Sequence, residues 1–362
     1  MDIKLPAQHT VKGRGACDNP APRFADLTRI AVDDGWLDEY SDTPHTAVKT
    51  QILTDSSRSI ISYNRSPDVP FDRSINPYKG CEHGCAYCFA RPSHAYLDLS
   101  PGLDFETQIF AKPNAAELLV EELAKPGYRT APIALGVNTD AYQPAERQWG
   151  ITRQLLEVLQ AHRHPVSIIT KSSLIERDID ILAAMAEKHL VQVHISVTSL
   201  DHQLSRALEP RAVSPTRRLE TIRRLSEAGI PVGVLFAPLI PALNDSELES
   251  VLGAAADSGA QSAGYVMLRL PLEVKPLFES WLKQHRPLKA TYVMNLIREV
   301  SGGKAYAAQF GQRMTGSGNL ADLYAQRFKL ACKKLGLESE EKAMDSQLFR
   351  LPLQVGEQLS LF

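Results

Sequence analysis

Short apolar runs alternate with helix-length segments through most of the chain, and this alternation restricts the possible folds more than any other feature. Buried strands are predicted over residues 132–137, 166–170, 191–197, 231–236 and 263–270. Helices are predicted between them, over residues 146–161, 178–188 and 215–228. Such alternation is typical of βαβ units that build a parallel sheet. About six units without a dinucleotide-binding glycine motif favour a closed or partly closed barrel over a doubly wound sheet.

The predicted fold class is therefore α/β, with a partial (β/α)6 TIM-like barrel between N- and C-terminal extensions. The predicted domains are a partly irregular N-terminal extension (1–68), the barrel (69–270), a helical C-terminal region (271–350) and a flexible tail (351–362). In barrels of this kind the chemistry lies at the carboxyl ends of the strands.

Charge and hydropathy exclude several classes of protein. The chain has 40 basic and 42 acidic residues and a net charge of -2, so its overall charge gives no reason to expect nucleic-acid binding. No run of about 18 apolar residues occurs, and no membrane span is expected. The first residues lack the apolar core of a signal peptide, so the predicted location is the cytoplasm.

Three of the five cysteines lie close together, in the segment 76–89. Cys81, Cys85 and Cys88 are accompanied by Gly80 and Gly84, which suit a loop whose thiolates converge on one centre. Three thiolates match three irons of a [4Fe-4S] cluster and leave the fourth iron for a ligand from outside the protein. The spacing therefore predicts an iron–sulfur site.

Two other interpretations of the cysteines stay open at this point. Structural zinc requires a fourth ligand, which His83 or His94 could supply. The three thiols could also be unrelated buried cysteines, although their close spacing disfavours this. Cys17 and Cys332 stand alone in the sequence and are interpreted as ordinary thiols.

The pattern Cys-x3-Cys-x2-Cys, with the aromatic Tyr87 before its third cysteine, resembles the radical S-adenosylmethionine (SAM) superfamily. This resemblance implies a barrel of the radical SAM type, a [4Fe-4S] cluster and SAM as cofactors. It also implies one-electron cleavage of SAM to a 5′-deoxyadenosyl radical, and an electron donor such as flavodoxin or ferredoxin.

Further motifs resemble the spore photoproduct lyase-like, or DNA repair photolyase-like, group of that superfamily. They cover 139–146, 170–172, 177–178, 196–198, 208–211, 237–241 and 244–245. This resemblance implies a lyase-like or modification activity in DNA repair. The chain departs from the group because no cysteine lies between Cys88 and Cys332, and because Phe89 replaces a tyrosine of the radical relay. Lysis of a thymine dimer by the same route is therefore not expected.

The resemblance also implies which residues bind SAM. Thr139 and Asp140 would lie at its methionyl part, Lys171 at its carboxylate, Ser196 at its ribose and Tyr87 near its adenine. The residue types suit these roles, since a cation matches a carboxylate and a hydroxyl matches a ribose. Structural alternatives remain: Asp140 could cap the helix near Glu146, Lys171 could be a solvated loop lysine, and Ser196 could bond locally.

Two features suggest nucleic acid as a partner. Arginines cluster around a predicted helix, where they could contact phosphates or form an ordinary solvated surface: Arg206, Arg211, Arg217, Arg218, Arg223 and Arg224. The segment Gln358-Leu359-Ser360-Leu361-Phe362 matches the pentapeptide with which bacterial polymerases and repair proteins bind the DNA sliding clamp. These residues could instead pack against the core.

Three functional hypotheses follow. The first is a radical SAM enzyme that acts on nucleic acid. The second is a radical SAM enzyme that modifies a protein or peptide, although many such relatives carry extra C-terminal cysteines and only Cys332 lies in that region here. The third is a non-enzymatic iron–sulfur or zinc protein.

Overall fold

The computed structural model of the protein describes residues 13–24, 48–338 and 343–351. The β-strands in these ranges are β1 (Gln51–Thr54), β2 (Ile61–Tyr63), β3 (Arg73–Ile75), β4 (Tyr78–Lys79), β5 (Gln108–Ala111), β6 (Ile133–Leu135), β7 (Val166–Thr170), β8 (Val191–Ser196), β9 (Val232–Leu239) and β10 (Ser262–Met267).

The α-helices are α1 (Asp104–Thr107), α2 (Ala115–Leu123), α3 (Glu146–Trp149), α4 (Ile151–Ala161), α5 (Ile179–Ala186), α6 (His202–Leu208), α7 (Pro215–Glu227), α8 (Leu248–Asp257), α9 (Val274–His285), α10 (Ala290–Val300) and α11 (Asn319–Leu335). Short 3-10 helices cover Arg91–Leu97, Ser173–Asp178 and Asp245–Glu247.

The main sheet has the strand order β10-β9-β8-β7-β6-β3-β2. Its strands from β3 to β10 pair in parallel, and β2 adds an antiparallel edge. Six parallel strands joined by helical crossovers form the predicted partial (β/α)6 barrel, so the predicted fold class is confirmed. Helices cover the sheet and bury its parallel strands; every residue of β8, for example, is buried.

Local signals explain where the helices begin and end. Ser214 caps α7, because its hydroxyl accepts a hydrogen bond from the Arg217 backbone N–H, and Pro215 follows at the first helical position. The single helix predicted over 146–161 was wrong. Gly150 adopts a φ of +61°, which ends α3 and begins α4.

The extensions are tied to the barrel. β2 belongs to the predicted N-terminal extension but pairs with β3, and β1 joins β5 and β4 in a small second sheet. Side chains of α9 and α10, including Phe278 and Trp281, share an apolar cluster with Tyr87. Within the described residues, no helix combines the length and apolarity needed to cross a membrane. The predicted clamp-binding segment, 358–362, lies outside the described residues.

Candidate functional site

A cavity of about 520 Å³ opens at the carboxyl ends of the parallel strands. It brings together the three clustered cysteines and all of the residues predicted to bind SAM. The lining includes Cys81, Cys85, Cys88, Tyr87, Thr139, Asp140, Lys171 and Ser196. Residues more than 100 positions apart therefore meet at the edge of the sheet where the barrel rule expects chemistry.

The cysteines lie on a loop that follows β3, residues 76–89, which we call the cluster loop. Its backbone turns at each cysteine. Gly84 N–H donates to Cys81 O at 3.3 Å, Cys88 N–H to Cys85 O at 3.2 Å, and Arg91 N–H to Cys88 O at 3.3 Å. Gly84 has a φ of +64°, and a Cβ there would lie 2.5 Å from the Glu106 carboxylate. The successive turns carry the three thiols to one wall of the cavity.

Buried polar groups hold the cluster loop from behind. Arg91 donates to the Cys85 carbonyl through Nε and Nη2, at 3.0 and 2.8 Å, and forms an ion pair with Glu106. Glu106 also accepts hydrogen bonds from the backbone N–H groups of Gly15 and Ala16, at 3.0 and 2.7 Å. Part of the predicted irregular extension therefore packs against the cluster loop.

Two of the segments that carried the family resemblance also hold this loop. Gln143 bridges it, since its side chain donates to Gly80 O at 3.1 Å and accepts from Glu82 N–H at 2.9 Å. On the other side, Leu208 O accepts from Ala86 N–H at 2.9 Å. The Arg211 side chain forms a 3.0 Å ion pair with Glu82. These contacts give the segments 139–146 and 208–211 a positioning role.

The electrostatics of the thiols suit a bound iron cluster. Burial raises the pKa of Cys85 to about 12 and also raises the pKa values of Cys81 and Cys88. Lys171 opposes this rise at Cys85 and Cys88. Thiols in such surroundings become thiolates when a metal centre compensates their charge. The donor set therefore fits a cluster held by three thiolates.

Nothing in the described residues favours structural zinc. No three Cys, His, Asp or Glu side chains there converge closely enough to hold one metal ion. His83 Nδ1 lies 3.3 Å from Asp140 Oδ2, and His94 Nε2 lies 3.0 Å from Gln108 O. In a [4Fe-4S] cluster each thiolate binds its own iron, so the three sulfurs need not meet at one ion.

Asp140 is the centre of a hydrogen-bond network after β6 and β7. It accepts from Thr170 Oγ1 at 2.6 Å, Lys171 N–H at 2.8 Å and Tyr142 N–H at 2.9 Å. Burial would raise its pKa, but the charge of His83 and these donors lower the pKa overall. The alternative role as a cap for the helix at Glu146 was wrong, because that helix begins after Ala145 without a side-chain cap.

Lys171 and Ser196 face each other across the ends of β7 and β8. Lys171 Nζ donates to Ser196 Oγ at 3.1 Å and lies 5.9 Å from the centre of the Tyr87 ring. Ser196 Oγ donates to Ala237 O at 3.2 Å. Lys171 is therefore part of the cavity and not a solvated loop lysine. Thr139 also lines the cavity, while its hydroxyl donates to Tyr78 O at 3.0 Å.

Tyr87 is fixed by a buried carboxylate. Its hydroxyl donates to Glu209, which also accepts from Thr198 Oγ1 at 2.6 Å and pairs with the buried Arg218. Burial raises the pKa of Tyr87 well above its usual value, while the positive charge of Arg218 helps to lower that of Glu209 against burial. The hydroxyl therefore fixes the Tyr87 ring on the cavity wall.

Part of the cavity lining was not expected from the sequence, chiefly Arg269 and Met314. Phe89, Tyr63 and Phe71 also line the cavity. The predicted strand over 263–270 extended too far, since β10 ends at Met267 and leaves Arg269 just beyond its carboxyl end. A correct strand end would have marked Arg269 by the same rule that marked Lys171.

The arginine cluster is largely neutralised by carboxylates. Arg217 and Arg224 pair with Glu176, at 2.7 and 2.9 Å, and Arg223 pairs with Glu220 at 2.9 Å. Arg218 is buried against Glu209. A free phosphate-binding surface on α7 therefore finds no support in the structure.

Comparison with known proteins identifies the family. Residues 75–255, half of the chain, match the model of the radical SAM superfamily. The protein belongs to the radical SAM superfamily, whose members use a [4Fe-4S] cluster and SAM.

Two uncharacterised proteins are similar in sequence to this chain. An uncharacterised protein of Mycobacterium tuberculosis is 39% identical over 221 residues, which is 60% of this chain and 65% of that protein. The aligned region thus spans less than two thirds of the length of this relative. An uncharacterised protein of Methanocaldococcus jannaschii is 25% identical over 247 residues, covering 68% of this chain and 88% of the other.

Among solved structures, spore photoproduct lyase complexed with dinucleoside spore photoproduct matches with a TM-score of 0.60. The match covers 79% of this chain and 80% of that chain, at 14% sequence identity. At this identity the likeness shows a shared fold.

Proposed function

We propose that the protein is a radical SAM enzyme that cleaves SAM to a 5′-deoxyadenosyl radical and acts on nucleic acid. The observation that carries the proposal is the single cavity shared by three thiols and the polar side chains at the ends of β6, β7 and β8. A [4Fe-4S] cluster bound by Cys81, Cys85 and Cys88 supplies the electron for cleavage of SAM. The protein supplies the positions of its cofactors and excludes water from them.

Each polar residue of the cavity has a role in this proposal. Lys171 binds the SAM carboxylate, because the Ser196 hydroxyl is the one hydrogen-bond partner of its ammonium within the described ranges. Thr139 and Asp140 hold the methionyl part, with Asp140 also fixing the backbone of Lys171. Ser196 lies where the ribose would bind, and the Tyr87 ring borders the adenine. Mostly buried side chains of this kind keep a fixed geometry while the cofactor binds.

Nucleic acid is the proposed substrate class because of the motifs shared with the spore photoproduct lyase-like group. The similar solved enzyme was complexed with a dinucleoside photoproduct. No cysteine lies between Cys88 and Cys332, so return of a hydrogen atom by a protein thiol after the second barrel strand is not part of the proposal. A protein or peptide substrate is the alternative.

Anaerobic reconstitution tests the chemistry. The protein is loaded with iron and sulfide, given SAM and a reductant, and assayed for 5′-deoxyadenosine. We expect release by the native protein and none by Cys85→Ala. Cys332→Ala is the matched control, because Cys332 is a buried thiol in α11 outside the cavity lining. Cluster formation without cleavage of SAM under several reductants would favour a non-enzymatic iron–sulfur protein.

Isotope transfer tests the substrate class. Deuterated single-stranded DNA, duplex DNA containing photoproducts, RNA and peptides are added separately to the reconstituted enzyme. Deuterium in 5′-deoxyadenosine from a nucleic acid supports the proposal, whereas deuterium from peptides alone contradicts it.

Partners and location complete the proposal. A small electron-transfer protein such as flavodoxin or ferredoxin reduces the cluster, and the cytoplasm provides the reducing conditions that thiolates need.

Docking on the DNA sliding clamp through Gln358, Leu359, Ser360, Leu361 and Phe362 rests on the sequence pattern. A fluorescent peptide of residues 353–362, with and without Phe362, is titrated with clamp. We expect binding by the complete peptide alone, and equal binding or no binding by both would contradict docking.

A further inference from the structure

Arg269 is a cation of the cavity with no oxygen partner among the described residues. Its Nε is buried and has no hydrogen-bond partner, and its Nη1 contacts only Met314 Sδ, at 3.5 Å. Its guanidinium carbon lies 4.8 Å above the centre of the Phe89 ring. A sulfur atom and a ring face are weak acceptors, so most of the N–H groups of this guanidinium remain available to a ligand.

The other arginines around the cavity are differently placed. Arg91 pairs with Glu106, Arg218 with Glu209 and Arg313 with Asp68. Within the described ranges, no carboxylate lies in ion-pair distance of Arg269. The pKa of Asp68 is lowered mainly by a hydrogen bond from Gly311 N–H, and the charge of Arg269 helps to lower it. The Asp68 carboxylate, however, is already bound to Gly311 and Arg313. An unpaired guanidinium in a partly closed cavity is costly unless a ligand supplies the anion.

The position of Arg269 is built by two separate segments. β10 brings it to the cavity, and the glycine-rich segment after α10 covers it with Met314. The Met267 N–H donates to Met314 O at 2.8 Å, which fixes this segment beside the end of β10. Arg269 therefore has a defined location in the lining of the cavity that Lys171 also lines.

We propose that Arg269 and Phe89 form the substrate subsite for a phosphate group of a nucleotide unit. This inference rests on the proposed function, in which the substrate is nucleic acid. A planar guanidinium binds phosphate through two parallel hydrogen bonds. Aromatic side chains on the same side of the cavity offer faces for base stacking: Phe89 is 38% exposed and Tyr63 is 62% exposed. This aromatic content favours a nucleotide over an acidic peptide.

Binding of a short oligothymidylate to the reconstituted enzyme tests the subsite. Fluorescence anisotropy is recorded at several salt concentrations for the native protein, Arg269→Gln and Arg269→Lys. We expect Arg269→Gln to weaken binding at least about tenfold and to reduce the salt slope by about one. Arg269→Lys should recover part of the affinity, since a point charge replaces the fork of donors. Arg217→Gln is the control, because Arg217 lies on α7 and already pairs with Glu176.

An oligonucleotide in which methylphosphonate replaces the phosphates separates charge recognition from stacking. We expect the native protein to bind it as weakly as Arg269→Gln binds the phosphate form. Equal affinity and equal salt slope for Arg269→Gln and the native protein would overturn the subsite. The subsite would also be overturned if Arg269→Gln lost affinity for an acidic peptide but kept its full affinity for the oligonucleotide. That result would indicate a peptide substrate.

Two further measurements separate a failure of the phosphate subsite from misfolding of the variant and from a failure of the proposed radical chemistry. The unfolding midpoint of Arg269→Gln shows whether the variant is folded, and Arg269→Lys keeps the test valid if it is not. Release of 5′-deoxyadenosine by the native enzyme without oligonucleotide tests the proposed radical chemistry separately. A native enzyme that cleaves SAM but binds no oligonucleotide overturns the phosphate subsite and leaves SAM cleavage intact.

Discussion

The two sides of the cavity differ in how their polar groups are bonded. On the cofactor side, defined by Tyr87, Thr139, Asp140, Lys171 and Ser196, the polar side chains bond one another, the backbone or Glu209. On the far side, defined by Phe89, Arg269 and Met314, the cation contacts a sulfur atom and a ring. We infer that the cofactor side is preorganised by the fold, whereas the far side leaves its bonding capacity to a ligand.

The largest effect is expected from Glu209→Gln. The change keeps the size of the side chain but leaves Arg218, which is 1% exposed, without its counter-charge. Breaking a buried ion pair in this way costs about 3–5 kcal/mol of unfolding free energy. Urea denaturation measures the loss, and SAM cleavage should fall with it because one amide oxygen cannot accept from Tyr87, Thr198 and Arg218 as the carboxylate does.

Glu249→Gln is the matched control for Glu209→Gln. Glu249 pairs with Arg327 at the surface, where such a pair contributes about 0–1 kcal/mol. Equal losses of stability for the two variants would mean that the buried network does not hold the cofactor side.

Asp140→Asn is expected to have the next largest effect. The groups around the Asp140 carboxylate all donate hydrogen bonds to it. The asparagine would place an NH2 donor against one of these donors, so one hydrogen bond of the network is lost. An unsatisfied buried group costs about 1–3 kcal/mol, and we expect SAM to bind about tenfold more weakly as Lys171 shifts. Calorimetric titration of SAM into the reconstituted protein measures the affinity, with Asp180→Asn on the exposed surface as control.

Arg269→Gln should change stability much less than either variant of the cofactor side. The interactions lost are one contact with sulfur and one with the Phe89 ring, and the latter contributes about 0.5–1 kcal/mol. Urea denaturation under the same conditions measures the difference. If Arg269→Gln lost as much unfolding free energy as Glu209→Gln, the two sides of the cavity would not differ in how strongly their polar groups are bonded.

The smallest effect is expected from Arg217→Gln. This arginine is partly exposed and pairs with Glu176, so it contributes about 0–1 kcal/mol to stability. Its charge is already neutralised, and oligonucleotide affinity should change less than about twofold. A large loss of oligonucleotide affinity in the anisotropy assay would indicate that α7 does bind phosphate.

Local patterns were enough for the barrel and the cluster loop. Short strand-like segments such as 166–170 and 191–197 identified the parallel strands because their alternation with helix-length segments is typical of βαβ units. The compact spacing of Cys81, Cys85 and Cys88 identified the cluster loop. Strand ends were less predictable, and an overextended β10 concealed Arg269, since hydrogen bonding to a neighbouring strand decides where a strand stops.

The sequence by itself determined the barrel class, the cluster loop and the residues that follow the strands, because these depend on periodicity and short spacing. Only the tertiary structure decided which charges stay available. The arginines of α7 look like a basic surface in the sequence, yet Glu176 and Glu220 neutralise three of them. Arg269 looks ordinary in the sequence, yet no carboxylate in the described part of the chain pairs with it. Pairing between side chains distant in the chain is set by how elements pack, so it becomes visible only in three dimensions.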